Sequence, residues 1–180
     1  MLVTFFYSMK YIATKTTYLE MRSADSQTIA TRPVGKNIEV NRLHQPTGQY
    51  YKFLYKSVGS DLNWVDRLLL SDSELEKIIH DPKIEIWVLK VDGKEAGYAE
   101  LDRRTSGEIE LAYFGLFPEF IGQGLGKYFL SWAIQQAWSY HPNRVWVHTC
   151  DLDHPAALPT YRKAGFIDYR EEIIQQAVPE

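Results

Sequence analysis

The sequence predicts an α+β domain of mixed (α/β) character, with a central sheet flanked by helices, and three observations lead there. Segments alternating apolar and polar residues dominate the stretch from Ile84 onward. Two of them are joined by Asp92-Gly93, a dipeptide suited to a hairpin turn. A strand, a glycine turn and an amphipathic helix then succeed one another before a further strand, the pattern of a crossover connection.

The chain has 180 residues, 45% of them apolar and 24% charged, enough to enclose a core as one domain, 1–180. Twenty basic side chains against 23 acidic ones give a net charge of −3. That leaves no broad basic surface for a phosphate backbone, so nucleic acid is not expected as a partner. The single Cys150 excludes an internal disulfide framework and a thiolate zinc site, and it fits a reducing, cytoplasmic setting. Met1 to Met9 is apolar and aromatic without the basic leader or cleavage site of a signal peptide. No run approaches the roughly 20 apolar residues of a spanning helix, so no membrane association is expected.

Residues 1–36 read as an N-terminal extension and loop, Ser23 to Lys36 being rich in small and turn-forming residues. Ile38 to Leu43 alternates like a short strand, and Tyr50, Phe53, Leu54 and Val58 then recur at helical spacing. Ser71, with Glu74 three residues on, forms a capping box for a short helix that Asp81-Pro82 ends. Strands follow at Ile84 to Val91, Glu95 to Leu101 and Glu108 to Phe117. Leu125, Phe129, Ala133 and Ala137 mark one stripe of the next helix, which His141-Pro142-Asn143 breaks. Arg144 to Thr149 is a strand, Ala156 to Lys163 a helix closed by Gly165, and Phe166 to Ile174 a last strand.

Three glycines in five residues, Gly122, Gly124 and Gly126, let backbone N–H groups approach an anion at a helix N-terminus. A Walker loop is excluded by Ile121 and Tyr128, and the dinucleotide fingerprint by Lys127. The segment Ile121-Gly122-Gln123-Gly124-Leu125-Gly126 instead resembles the pyrophosphate loop of GNAT acetyltransferases, Arg/Gln-x-x-Gly-x-Gly/Ala, with Ile121 in place of the usual Arg or Gln. Independently, His154-Pro155-Ala156-Ala157-Leu158-Pro159-Thr160-Tyr161-Arg162-Lys163-Ala164-Gly165-Phe166 is similar to that family's Asn-x-Ala-Ala-x-x-x-Tyr-x-x-x-Gly-Phe segment, with His154 in place of Asn. The two segments and the strands between them span a cofactor-binding core over 84–169.

The resemblance implies the GNAT fold, a mostly antiparallel mixed sheet with a splayed parallel strand pair. It implies acetyl-coenzyme A as cosubstrate, with no metal, and an amine acceptor, small molecule or protein, attacked directly in a ternary complex. Leu116 and Phe117 would offer backbone contacts to the pantetheine arm, one of their N–H groups serving an oxyanion. The loop from Ile121 through Gly126, with Lys127 and His154, would hold the rest of the cofactor. Tyr161 stands where the family places the acid that protonates the departing thiolate, a role for which a phenol is well matched.

An ammonium must lose a proton before it attacks, and Glu110 is the candidate base, expected to share a strand face with Ala112 and Phe114. Glu108 and Glu110 equally suit the wet face of an alternating strand. His148 and Cys150 face the same side of their strand, which suits proton shuttling more than a nucleophile pair or, with Asp151, Asp153 and His154, a metal site. Tyr50, Tyr51, Phe53, Tyr55 and Trp64 suit a core stripe or an acceptor wall. A catalytically silent acyl-coenzyme A-binding or interaction module stays open as a second reading, as do a monomer and a homodimer.

Overall fold

A computed structural model describes residues 9–179. Its elements are β1 (Met9–Met21), β2 (Ile38–Leu43), α1 (Gly48–Gly59), α2 (Asp72–Ile79), β3 (Ile84–Val91), β4 (Lys94–Asp102), β5 (Glu108–Leu116), α3 (Leu125–Trp138), β6 (Arg144–Cys150), α4 (Ala157–Ala164) and β7 (Ile167–Pro179). All seven strands join one sheet in the order β2-β3-β4-β5-β6-β1-β7. Neighbours are antiparallel except β5 and β6, which are parallel. The fold is thus mixed α+β, as its sequence predicts. Among the described residues no helix is long and apolar enough to cross a membrane.

The N-terminal segment departs from expectation. Apart from Met9, the apolar stretch Met1–Met9 lies outside the described residues. Residues 9–21, expected as extension, form a strand of 13 residues inserted between β6 and β7. Its sequence, with Thr14, Thr16 and Thr17 close together, lacks clean alternation, yet all three are buried and the strand is paired along both edges. The segment after it is a loop, as read, but pinned: Gln27 Nε2 donates to the Ser131 carbonyl at 2.7 Å and the Thr28 N–H to that of Ala164 at 2.9 Å. This holds the loop against α3 and α4.

Two cores lie on opposite faces of the sheet. On one, Leu89, Leu101, Leu111, Val145, Val147, Leu19 and Met21 pack under α3 and α4, with Phe129, Leu130 and Ile134 from above. On the other, Ile84, Ile86, Val88 and Tyr98 meet Tyr51, Leu54, Tyr55 and Leu75 of α1 and α2. The capping box at Ser71 and Glu74 is formed as the sequence predicts. Helices α1 and α2 cover only part of their face, and the uncovered remainder opens into a cleft.

Candidate active site

Strands β5 and β6 pair only through Glu108–Glu110 and Arg144–Trp146. Beyond Glu110 they have no ladder between them, and a cleft of about 1020 Å³ opens there, lined from both sides of the sheet. Glu110 therefore sits where the splay begins.

One end of the cleft is built of backbone. Gly122 (φ +81°) and Gly124 (φ +77°) take conformations costly for residues with a Cβ, and a Cβ on Gly122 would meet nothing within 4 Å. Gly124 is the N-cap of α3 and has no side chain to cap it, so the N–H groups of Leu125, Gly126 and Lys127 have no partner within the helix. Open space over unpaired donors at a positive dipole end fits a pyrophosphate. The lining there includes Leu116, Ile121, Gly122, Gly124, Gly126, Lys127, His154 and Tyr161. His154 also uses Nδ1 to accept from the Ala156 N–H at 3.1 Å, ahead of α4.

Three other residues proposed for this end are placed differently. The Phe117 N–H donates to the Ala96 carbonyl at 2.8 Å, and its ring is buried against Phe53, so it faces β4 and α1 rather than the cleft. By strand alternation the backbone of Leu116 points the other way, into the splay. Gln123 turns its amide to the Glu119 carbonyl and accepts from Lys36 Nζ at 2.8 Å, while the Leu125 side chain is fully buried. These two offer only their backbone N–H groups. Lys36, which sequence reading passed over, joins Lys127 near the glycine loop because the pinned loop brings it there.

The other end is built of side chains. Strand β5 carries a bulge: Leu101 pairs with Leu111 and Glu100 with Tyr113, leaving Ala112 extra. The expected alternation from Glu110 through Phe114 therefore fails. Phe114 packs under α3 on Phe129 (5.4 Å) and Tyr161 (6.5 Å), whereas Glu110, opposite in phase to the buried Ile109 and Leu111, points to the other face. There it pairs with Asp102 across the ladder and lies 3.2 Å from His148 Nδ1. The bulge puts acid and base candidates on opposite walls of one opening. Burial raises the Tyr161 phenol well above its ordinary range, so it stays protonated in neutral solution.

Sequence reading missed the support of this end. Glu100, fully buried on β4, accepts from the Tyr51 hydroxyl and from Arg67 Nη2 at 2.8 Å. Burial lifts its carboxyl above the usual range, with Arg67 and Tyr51 opposing. Arg67 also lies 5.2 Å from the centre of the Tyr113 ring, whose hydroxyl burial pushes up to about 12. Trp64 packs on Tyr55 and Tyr113, and its Nε1 donates to Asp153 Oδ1 at 3.0 Å. That bond joins the segment after α1 to the segment after β6. Asp153 is otherwise taken by Thr149 and the Cys150 N–H, and no group of metal-ligating side chains is found among the described residues. Local composition gives no signal for Arg67, which stands beside Asp66 ahead of an apolar run.

Comparison with known proteins agrees with this architecture. The model of the acetyltransferase (GNAT) family matches residues 51–166. An uncharacterized N-acetyltransferase of Mycobacterium tuberculosis is 28% identical over 97 residues, covering 54% of this chain and 62% of that protein. The match thus spans less than two thirds of the relative's length. GCN5-related N-acetyltransferases from Kribbella flavida and Sphaerobacter thermophilus superpose with TM-scores of 0.62 and 0.66 at 17% and 14% identity. They cover 96% and 94% of this chain and 60% and 54% of theirs, a likeness of fold.

Proposed function

The chain belongs to the acetyltransferase (GNAT) family, and from that premise we propose that it is an N-acetyltransferase, moving acetyl from acetyl-coenzyme A directly to a primary amine. The observation carrying this reading is the convergence on one splayed cleft of an uncapped glycine loop, a buried phenol and a carboxylate paired with an imidazole.

In this reading the N–H groups opening α3 hold the pyrophosphate, with Ile121 adding an apolar contact and Lys127 charge beside it. The Leu116 backbone orients the pantetheine arm, and His154 borders it. Glu110 takes the proton of the bound ammonium and passes it through His148 toward solvent. The freed nitrogen attacks the thioester carbon, and the Leu116 N–H offers its hydrogen to the oxygen that gains charge. As the carbon–sulfur bond breaks, the nitrogen loses its second proton to water and Tyr161 gives its own to the thiolate, the water restoring the phenol, so that one proton in all leaves for solvent. No covalent enzyme intermediate is needed.

Calorimetric titration with acetyl-coenzyme A, with ATP and NAD as controls, tests the premise. Selective binding on the order of −8 kcal/mol is expected. A folded sample that binds none of the three would remove the transferase reading and favour a silent interaction module.

A further inference from the structure

The acceptor end of the cleft contains a hydroxyl that the mechanism does not use. Thr16 is 1% exposed, its Oγ1 has no hydrogen-bond partner among the described residues, and it lines the cleft. A buried hydroxyl left unpaired is costly, and such atoms call for a ligand or water. Its position follows from β1. Leu19 and Met21 point under α3, so Thr16 and Tyr18 point to the face that carries Glu110. There Tyr18 pairs with His148 and Thr16 with Cys150.

The surroundings of Thr16 are polar and largely uncharged. Gln176 of β7 accepts weakly from Thr14 Oγ1 and Cys150 Sγ, both at 3.5 Å, through Oε1, which leaves its amide N–H groups without partners among the described residues. Burial keeps the Cys150 thiol protonated. Glu172, across the ladder from Thr16, is already engaged by Arg170. A hydroxyl beside amide donors suits an oxygen acceptor, and with Glu172 nearby and its Arg170 partner already engaged, a neutral oxygen fits better than a carboxylate or a second ammonium. Two residues along a strand separate Cys150 from His148, so this subsite lies roughly 7 Å from the Glu110–His148 pair.

We propose that Thr16 and Gln176 form a specificity subsite for a neutral oxygen of the acceptor, so that the substrate is an amine carrying a hydroxyl at about that spacing. The inference rests on Glu110 marking the amine end. It makes β1, although remote in sequence from the glycine loop, a wall of the acceptor pocket.

Cys150, the only cysteine, is a reporter built into the subsite. Its modification by a disulfide reagent should be slowed by 5-amino-1-pentanol at a concentration about tenfold lower than by hexylamine, which has a methyl group in place of the hydroxyl. Thr16→Val should erase the difference and Thr16→Ser keep it. Equal protection by the two amines, no protection by either, or a preference surviving Thr16→Val overturns the proposal. Because the readout needs no turnover, the readings fail separately. A hydroxyl preference without acetyl transfer would sink only the transferase, and transfer without the preference only the subsite.

Discussion

The two ends of the cleft are built from different material. The end proposed for the cofactor is backbone: two glycines at positive φ, the open N-terminus of α3 and the inward edge of β5. The end proposed for the acceptor is side chains gathered from far apart in the chain: Thr16 from β1, Trp64 and Arg67 from the segment after α1, Glu110 from β5, His148 from β6 and Gln176 from β7. A backbone cradle depends on conformation and tolerates exchange of the side chains around it. A side-chain chamber depends on each residue and can be rebuilt for another acceptor without disturbing the cradle. The contrast predicts that substitutions at one end leave the other end's measurements untouched.

The largest expected effect breaks the chamber's support. Arg67→Met leaves Glu100 buried without its cation and should lower unfolding free energy by about 3–5 kcal/mol, read by urea denaturation. A loss under about 1 kcal/mol would show that Glu100 simply takes up a proton.

Next come the groups proposed to react. Glu110→Gln and Tyr161→Phe should each cut turnover by roughly a hundredfold or more while acetyl-coenzyme A affinity stays nearly constant. Unchanged turnover would remove that residue from the mechanism, and a large fall in cofactor affinity would erase the division between the two ends.

Smaller effects sharpen the comparison from each side. Gly122→Ala with Gly124→Ala forces side chains into the left-handed region and should weaken acetyl-coenzyme A binding by roughly tenfold, with the acceptor KM unchanged. Trp64→Phe removes the bond to Asp153 and part of the packing on Tyr55 and Tyr113, and should cost about 1–3 kcal/mol of stability while raising the acceptor KM a few-fold. Should it weaken acetyl-coenzyme A instead, that bridge belongs to the cofactor end.

The pH dependence of stability offers a last distinction. Burial raises the folded-state pKa of Glu100 above its unfolded value, so its stabilising contribution is full below the unfolded pKa and is lost as pH rises through the folded one. Wild-type stability measured against Glu100→Gln should therefore improve as pH falls from about 8 toward about 5. A difference that does not change with pH would place the two pKa values together.

The sequence by itself determined the fold class, most elements after Ile38 and the glycine turn that opens α3, because each of these is written locally. A hairpin dipeptide, a capping box and a glycine loop at a helix start specify backbone conformation within a few residues. Tyr161 was proposed for the same kind of reason, lying inside a continuous motif. Only the tertiary structure decided that residues 9–21 join the sheet, since their pairing partners are more than 120 residues away in sequence. It alone decided the face of Glu110, because one extra residue at Ala112 reverses the alternation that a strand pattern assumes. The acceptor chamber stayed hidden for a related reason: its side chains meet through strand order and loop packing, and no local spacing records which distant segments share a wall.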